Sequence, residues 1–437
     1  MSLKKLFGLI SGGMIALLLL STVNSLASDK VTIRYLTHSV LEEPARTVIL
    51  KGIKDFEHKY PNIHIEVEAV PNDQIQQKIF TYAAAGMLPD VVGLQGVGIE
   101  PFASNGNLLD IAVLVKKDKL DKEFFSLEAA TGLNGKVYGL PLYGGTDALF
   151  YNPKLFQEAG LNPNDPPKTW EQLLNDAKKL TKPEKGQYGM GIYGKTVHAL
   201  RIMHYMSNAG SNGDILRLNR KKNNSWDILV NSPDSLKAWE YLKSLVDNKV
   251  VPPNTVELTY PDLISLFAQG KVAMLTTGPW GIATIKAANP NCEFRIAMHP
   301  TPNGNPPSLR TAPLVTVINK NTKYPKQAYT FLKYLTVNIG SEMAGEGYGI
   351  LTRTAENNPK VKSNPAMKVF AEQQKYAYFS AQELLLPEWL KCKDQAWGPA
   401  WERMLIGTVS PKEAVNQGAK AMKEILGDKG NLIYPTN

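Results

Sequence analysis

Phe267-Ala268-Gln269-Gly270-Lys271-Val272-Ala273-Met274-Leu275-Thr276-Thr277-Gly278-Pro279-Trp280-Gly281 decides how the chain is read. Gln269-Gly270 marks a helix end, since Gly is the usual residue just past a helix C-terminus. Val272 to Leu275 is an apolar run of strand length. Gly278-Pro279 stops the strand and restarts the chain. Trp280 is thereby presented beyond a strand end, on a turn. An indole there is either the edge of a core or a platform for a ligand ring.

Upstream, strands and helices alternate. Val31 to Tyr35 reads as a strand, and Val48, Ile49, Ile53 and Phe56 give the next stretch helical spacing. Ile63 to Val70 alternates as a second strand. Asn72-Asp73 is expected to cap a helix running to Ala85, ended by Gly86. Val91 to Leu94 is a third strand. This order predicts a largely parallel sheet with helices on its faces. Ligands bind beyond the C-terminal strand ends of such sheets, which places Thr37, His38 and Gln95 at a cleft edge. Further on, Gly144-Gly145 interrupts an extended run and reads as a crossover between lobes, flanked by Tyr143 and Asp147. Thr169 is an N-cap, Pro325 to Val337 reads as a helix, and the chain beyond Pro365 is read as helical with breaks.

A chain of 437 residues is too long for one ordinary core, so two or more domains are expected. Its composition, 43% hydrophobic and 20% charged, is that of a folded protein. The net charge of +9 is spread along the chain. Its one basic cluster, Arg217 to Lys222, reads as a solvated hairpin loop, and no nucleic-acid partner is expected. The N-terminus carries Lys4-Lys5, an apolar run from Leu6 to Leu20 and the small-residue site Ser25-Leu26-Ala27. Residues 1–27 are therefore read as a signal peptide cut near Ala27, giving a soluble periplasmic protein. The two cysteines, Cys292 and Cys392, are open to either a bridge or two free thiols.

Several short motifs recur together. They are Ala85-Gly86-Met87-Leu88-Pro89-Asp90-Val91-Val92, Val137-Tyr138-Gly139-Leu140-Pro141, Leu149-Phe150-Tyr151-Asn152, Lys168-Thr169-Trp170-Glu171, the quoted stretch itself, and Ser410-Pro411-Lys412-Glu413-Ala414. With them the chain resembles the extracellular solute-binding proteins of ABC importers, in the group of the maltose- and glycerol-phosphate-binding proteins. The resemblance implies an α/β, two-lobed periplasmic binding protein fold of type II. Each lobe would be a mostly parallel sheet flanked by helices, with extra C-terminal helices. Lobe I would comprise 28–142 and 313–358, and lobe II 143–312 and 359–437. The implied function is capture of a carbohydrate, whether sugar, oligosaccharide or polyol derivative, between the lobes and its delivery to membrane permease subunits. A monomer, no cofactor, no metal and no catalytic residue are expected.

Trp280, with Gly278 before it, would stack on a sugar face as the family's aromatic does. Asp147 is placed to accept hydrogen bonds from two adjacent hydroxyls, or else to cap or pair at the hinge. Tyr348, within Gly345-Glu346-Gly347-Tyr348-Gly349, falls where the family brings a loop to the cleft, and the glycines imply close backbone approach. Arg353 and Trp397 are further candidates, the latter fitting helix packing equally well. Gly189 to Thr196 spells a P-loop, which would set Lys195 on phosphates and Thr196 on magnesium. Export and the motif's mid-chain position argue against that NTPase. Lys195 and Arg201 stay as candidate contacts for an anionic ligand. A periplasmic sugar-active enzyme is the other alternative, but no nucleophile elbow or metal-ligand spacing supports it. The adjacent Glu42-Glu43 pair does not face one substrate on a helix. A receptor presenting ligand to a chemosensor would share the fold.

Overall fold

The computed structural model describes residues 30–94, 98–125, 127–195, 202–211, 213–307, 313–376 and 382–436. The leader, Gln95, Thr196 and Arg201 lie outside them. Among the described residues, twelve strands run in chain order: Val31–Thr37 (β1), Ile63–Ala69 (β2), Val91–Leu94 (β3), Gly139–Tyr143 (β4), Ala148–Tyr151 (β5), Tyr188–Gly191 (β6), Leu216–Asn219 (β7), Ser225–Ile228 (β8), Val272–Thr277 (β9), Arg295–Ala297 (β10), Leu314–Ile318 (β11) and Gly430–Leu432 (β12).

They form three sheets. The first has the order β2-β1-β3-β11-β4, the second β10-β5-β9-β6 and the third β12-β8-β7. β1 lies parallel to β2 from Val31 opposite Ile63 to Thr37 opposite Ala69, and parallel to β3 on its other side. β11 returns from far along the chain and pairs antiparallel with both β3 and β4. In the second sheet β6 is parallel to β9, while β5 is antiparallel to both β9 and β10. The sheets are therefore mixed, because returning strands enter against the direction of their neighbours.

Alternation along each strand feeds two cores. Ile33 and Tyr35 face Ile49, Ile53 and Phe56 of the helix Ala45–Lys59. Leu36 and Val92 face the other way, toward Ile75 and Ile79 of the helix Asn72–Ala84. That helix is capped at Pro71, so Asn72 and Asp73 lie inside it rather than ahead of it. In the second sheet Leu149 and Tyr151 pack toward Trp170, Leu173 and Ala177, and Ala148 and Phe150 toward Leu263, Phe267 and Ile285. Sheets covered by helices on both faces must be apolar on both faces, which is why their short strands read as continuous apolar runs.

Local signals set the helix ends. Thr169 and Gln172 form a reciprocal capping box, as do Ser410 and Glu413. Pro325–Tyr334 does not stop near Val337. It runs through the π-helical turn Leu335–Ile339 into Gly340–Gly345, carried by buried Leu335, Ile339 and Met343. The basic hairpin is present between β7 and β8, with Asn223 and Asn224 both in the left-handed region and Arg220, Lys221 and Lys222 exposed. Cys292 and Cys392 are both buried free thiols.

The chain changes sheets at 144–147, between β4 and β5, and again between β10 and β11. A third passage runs from Tyr348, in the core of the first sheet, to Ile350, in that of the second. The passages touch. Gly144 N–H donates to Tyr348 O at 3.2 Å. A Cβ on Gly349 (φ +87°) would lie 1.6 Å from Gly144 O. Two backbones in contact leave room only for glycine, which accounts for both glycine clusters.

Candidate functional site

The ends of β1 and β4 meet at one point. Tyr143 Oη lies 3.1 Å from both Ser39 Oγ and His38 Nε2, and Ser39 N–H donates to Thr37 Oγ1 at 3.1 Å. The Tyr348 ring meets that of Tyr143 edge-on, with centroids 5.2 Å apart. Thr37, His38, Ser39, Tyr143 and Tyr348 are all buried. Burial lowers the pKa of His38 to about 4, so its imidazole is neutral near pH 7. Burial also raises the phenols of Tyr143 and Tyr348, and nearby Glu42 adds to both. Glu42 is itself held above the usual carboxylate range by burial.

The second sheet supplies the facing group. β9 ends in Thr276-Thr277, then Gly278-Pro279 leads to Trp280, which opens the helix Gly281–Ala288. Trp280 is partly buried and packs against the first lobe's core, the cluster that holds Tyr143 and Tyr348. One indole thus follows a strand of one sheet and touches the core of the other. Pro279 closes on the passages as well: a Cβ on Gly145 would lie 3.1 Å from its Cδ, and one on Gly347 2.9 Å from its carbonyl oxygen.

The end of β9 and the first passage also carry a buried polar cluster. Asp147, 1% exposed, has Oδ2 3.6 Å from His204 Nε2. The His204 and His299 rings are 6.5 Å apart, and Tyr205 meets His299 edge-on at 4.9 Å. Tyr205 Oη is 3.4 Å from Thr276 Oγ1. Gln373 ties the cluster to the passages. Its Nε2 donates to Thr146 Oγ1 at 2.6 Å and Asp147 O at 2.8 Å, and its Oε1 accepts from His299 N–H at 2.8 Å. Burial and the neighbouring His204 lower the pKa of His299 to about 4, against the pull of Asp147.

The structure thus brings Thr37, His38, Tyr143 and Tyr348 together, sets Trp280 and Gly278 beside them, and places Asp147 on the adjoining passage. It does not bring in Arg353 or Trp397. Arg353 is exposed, 4.7 Å over the Phe125 ring and paired with Glu356. Trp397 is fully buried in the helix core with Trp239 and Trp401. Lys195 is exposed at the edge of the described residues. His204, His299, Asn208 and Gln373 were not singled out from the sequence. Strand-end position was the available signal for His299, which follows β10, but nothing local marks Gln373.

The glycines of the P-loop-like run have a packing cause. A Cβ on Gly189 would lie 2.1 Å from Ala177 O, on Gly191 2.3 Å from Leu263 Cδ1, and on Gly194 1.9 Å from Thr255 O. Close approach of protein to protein explains them without a phosphate. Among the described residues, no group of three or more His, Cys, Asp or Glu is arranged to hold a metal ion.

The chain is similar to known proteins along most of its length. A multiple sugar-binding protein of Streptococcus mutans is 26% identical over 335 residues, covering 74% of this chain and 76% of that one. A galactooligosaccharide-binding protein of Bacillus subtilis is 25% identical over 387 residues, 85% of this chain and 86% of its own. An ABC transporter solute-binding protein from Thermotoga lettingae, solved with α-D-tagatose bound, superposes with a TM-score of 0.77 at 26% identity, covering 92% of this chain and all of that one. The profile of one family matches residues 41–340. The chain belongs to the bacterial extracellular solute-binding protein family.

Proposed function

We propose that this protein is exported to the periplasm, captures a carbohydrate between its two lobes and delivers it to the permease of an ABC importer. The observation that carries this reading is Trp280, an indole between two cores, beside buried hydroxyl and imidazole groups. Sugars present flat C–H faces to such a ring while their hydroxyls bond around it. The sugar-binding relatives and the tagatose-bound neighbour support the ligand class. In this reading the leader is removed near Ala27, the lobes divide at 142/143, 312/313 and 358/359, and the mature protein acts as a monomer. Hinge motion at the three passages closes the lobes on the ligand, and the closed form docks on the permease. No chemical step is performed. Among the described residues, no helix is long and apolar enough to cross a membrane.

Thermal unfolding against a panel of neutral sugars, polyols and their phosphates tests the proposal. A bound member raises the melting temperature, and Trp280→Ala removes most of that rise. No rise with any member would overturn it.

A further inference from the structure

The helix that Trp280 opens is tied to a second helix. Thr284, one turn into Gly281–Ala288, turns two groups back on its first residue: its N–H donates to Trp280 O at 3.2 Å, and its Oγ1 lies 3.2 Å from that oxygen and 3.4 Å from Gly281 O. The same Oγ1 lies 2.8 Å from Tyr260 Oη. Carbonyl oxygens only accept, so the one hydrogen of the Thr284 hydroxyl points to them, and Tyr260 is the donor in the remaining bond. The result is a directed chain, from Tyr260 Oη–H to Thr284 Oγ1 and from Thr284 Oγ1–H to Trp280 O. Tyr260 starts the helix Tyr260–Ala268, and its ring stacks on that of Tyr193 with centroids 5.9 Å apart and planes at 22°. After burial and Glu42, the Tyr260 phenol also adds to the rise of the Tyr348 phenol, so it lies within electrostatic reach of the first lobe's site.

Resting on the carbohydrate reading above, we infer that Tyr260 and Thr284 are positioning residues, which hold the Trp280 indole ready for the ligand by fixing its backbone. Glycines flank Pro279-Trp280 on both sides, so no neighbouring side chain along the turn steadies it. A bond onto the carbonyl of Trp280 fixes the peptide plane that follows its Cα, and with it the direction in which the side chain leaves. A threonine bonding back to the carbonyl four residues earlier is common in helices. The third partner is what sets this one apart: Tyr260 comes from another helix, 24 residues earlier in the chain, and is itself held by its stack on Tyr193. A ring that is ordered beforehand spares the ligand the cost of ordering it, and that saving appears as affinity.

Time-resolved fluorescence anisotropy of the ligand-free mature protein tests this directly. The chain has seven tryptophans, so the Trp280 component is taken as the difference between each protein and the same protein carrying Trp280→Phe. Tyr260→Phe, which keeps the ring and loses the donor, should free the indole and lower that component, and Thr284→Val should do the same. Thr284→Ser keeps the hydroxyl and should retain the native value. The panel member that raises the native melting temperature most then serves as the probe for calorimetric titration. Tyr260→Phe and Thr284→Val should each weaken it by about fivefold, the cost of ordering one side chain on binding. The double variant should lose no more than either single one, because both act through one chain of bonds. An unmoved Trp280 anisotropy in both single variants, an unchanged affinity, or two losses that add in full overturns the inference and leaves the carbohydrate reading standing. If the native protein binds no member of the panel, the carbohydrate reading falls, and this inference with it.

Discussion

The indole of Trp280 lies across Gly278: a Cβ on Gly278 would come within 2.2 Å of Trp280 Cη2. Glycine here leaves the space that the ring occupies. Gly278→Ala must therefore turn the indole away while leaving the β9 backbone in place. We expect a folded protein whose sugar affinity falls about tenfold to a hundredfold, approaching that of Trp280→Ala. Calorimetric titration beside circular dichroism checks this, and unchanged affinity would refute it.

Gln373 holds two chain passages from a helix that follows the third. Gln373→Leu removes two donated bonds and one accepted bond, and strands buried partners at Asp147 O and His299 N–H. A loss of about 3 kcal/mol in urea unfolding is expected. Small-angle scattering of the ligand-free variant should also show a wider spread of lobe separations. Native-like scattering and stability together would rule out the clamp.

His38 and His299 make stability depend on pH. Each is held neutral in the fold down to about pH 4, while an unfolded histidine takes up a proton near pH 6.5. Between these values the unfolded chain binds more protons, so stability falls as pH falls. The contribution is fully present above about pH 6.5 and lost through about pH 4, up to roughly 3 kcal/mol per histidine. Urea midpoints measured across that range should show the slope, and the double variant His38→Gln, His299→Gln should flatten it. An equal slope in both proteins would contradict the assignment.

Burial raises the thiol pKa of Cys292, and that of Cys392 to about 12 with help from Glu388. Neither is a thiolate at neutral pH, and they are not joined. A chromogenic disulfide reagent should find no reactive thiol in native protein and both in denaturant. Reducing agent should leave the melting temperature unchanged.

Local chemistry alone fixed much of this protein. Alternating apolar residues set β1 and β2, and a continuous apolar run set β5. The Thr169 and Ser410 boxes began their helices where the sequence placed them, and Gly278-Pro279 ended β9 and presented Trp280. Strand-end position selected Thr37 and His38, the glycines at 144–145 announced a crossover, and those at 345–349 a close backbone approach. These signals are legible because they act within a few residues. Tertiary structure alone decided the rest. The return of β11 between β3 and β4 depends on a pairing with no local code. Arg353 and Trp397 had the right residue types, but packing sent one to the surface and the other into a helix core. The glycines at 189, 191 and 194 matched a phosphate motif, yet their cause is contact with Ala177, Leu263 and Thr255. Gln373, His299 and Asn208 become a unit only when chain segments more than sixty residues apart meet. A hydrogen bond across that separation leaves no trace in local sequence, because what selects the residue is the partner that folding brings to it.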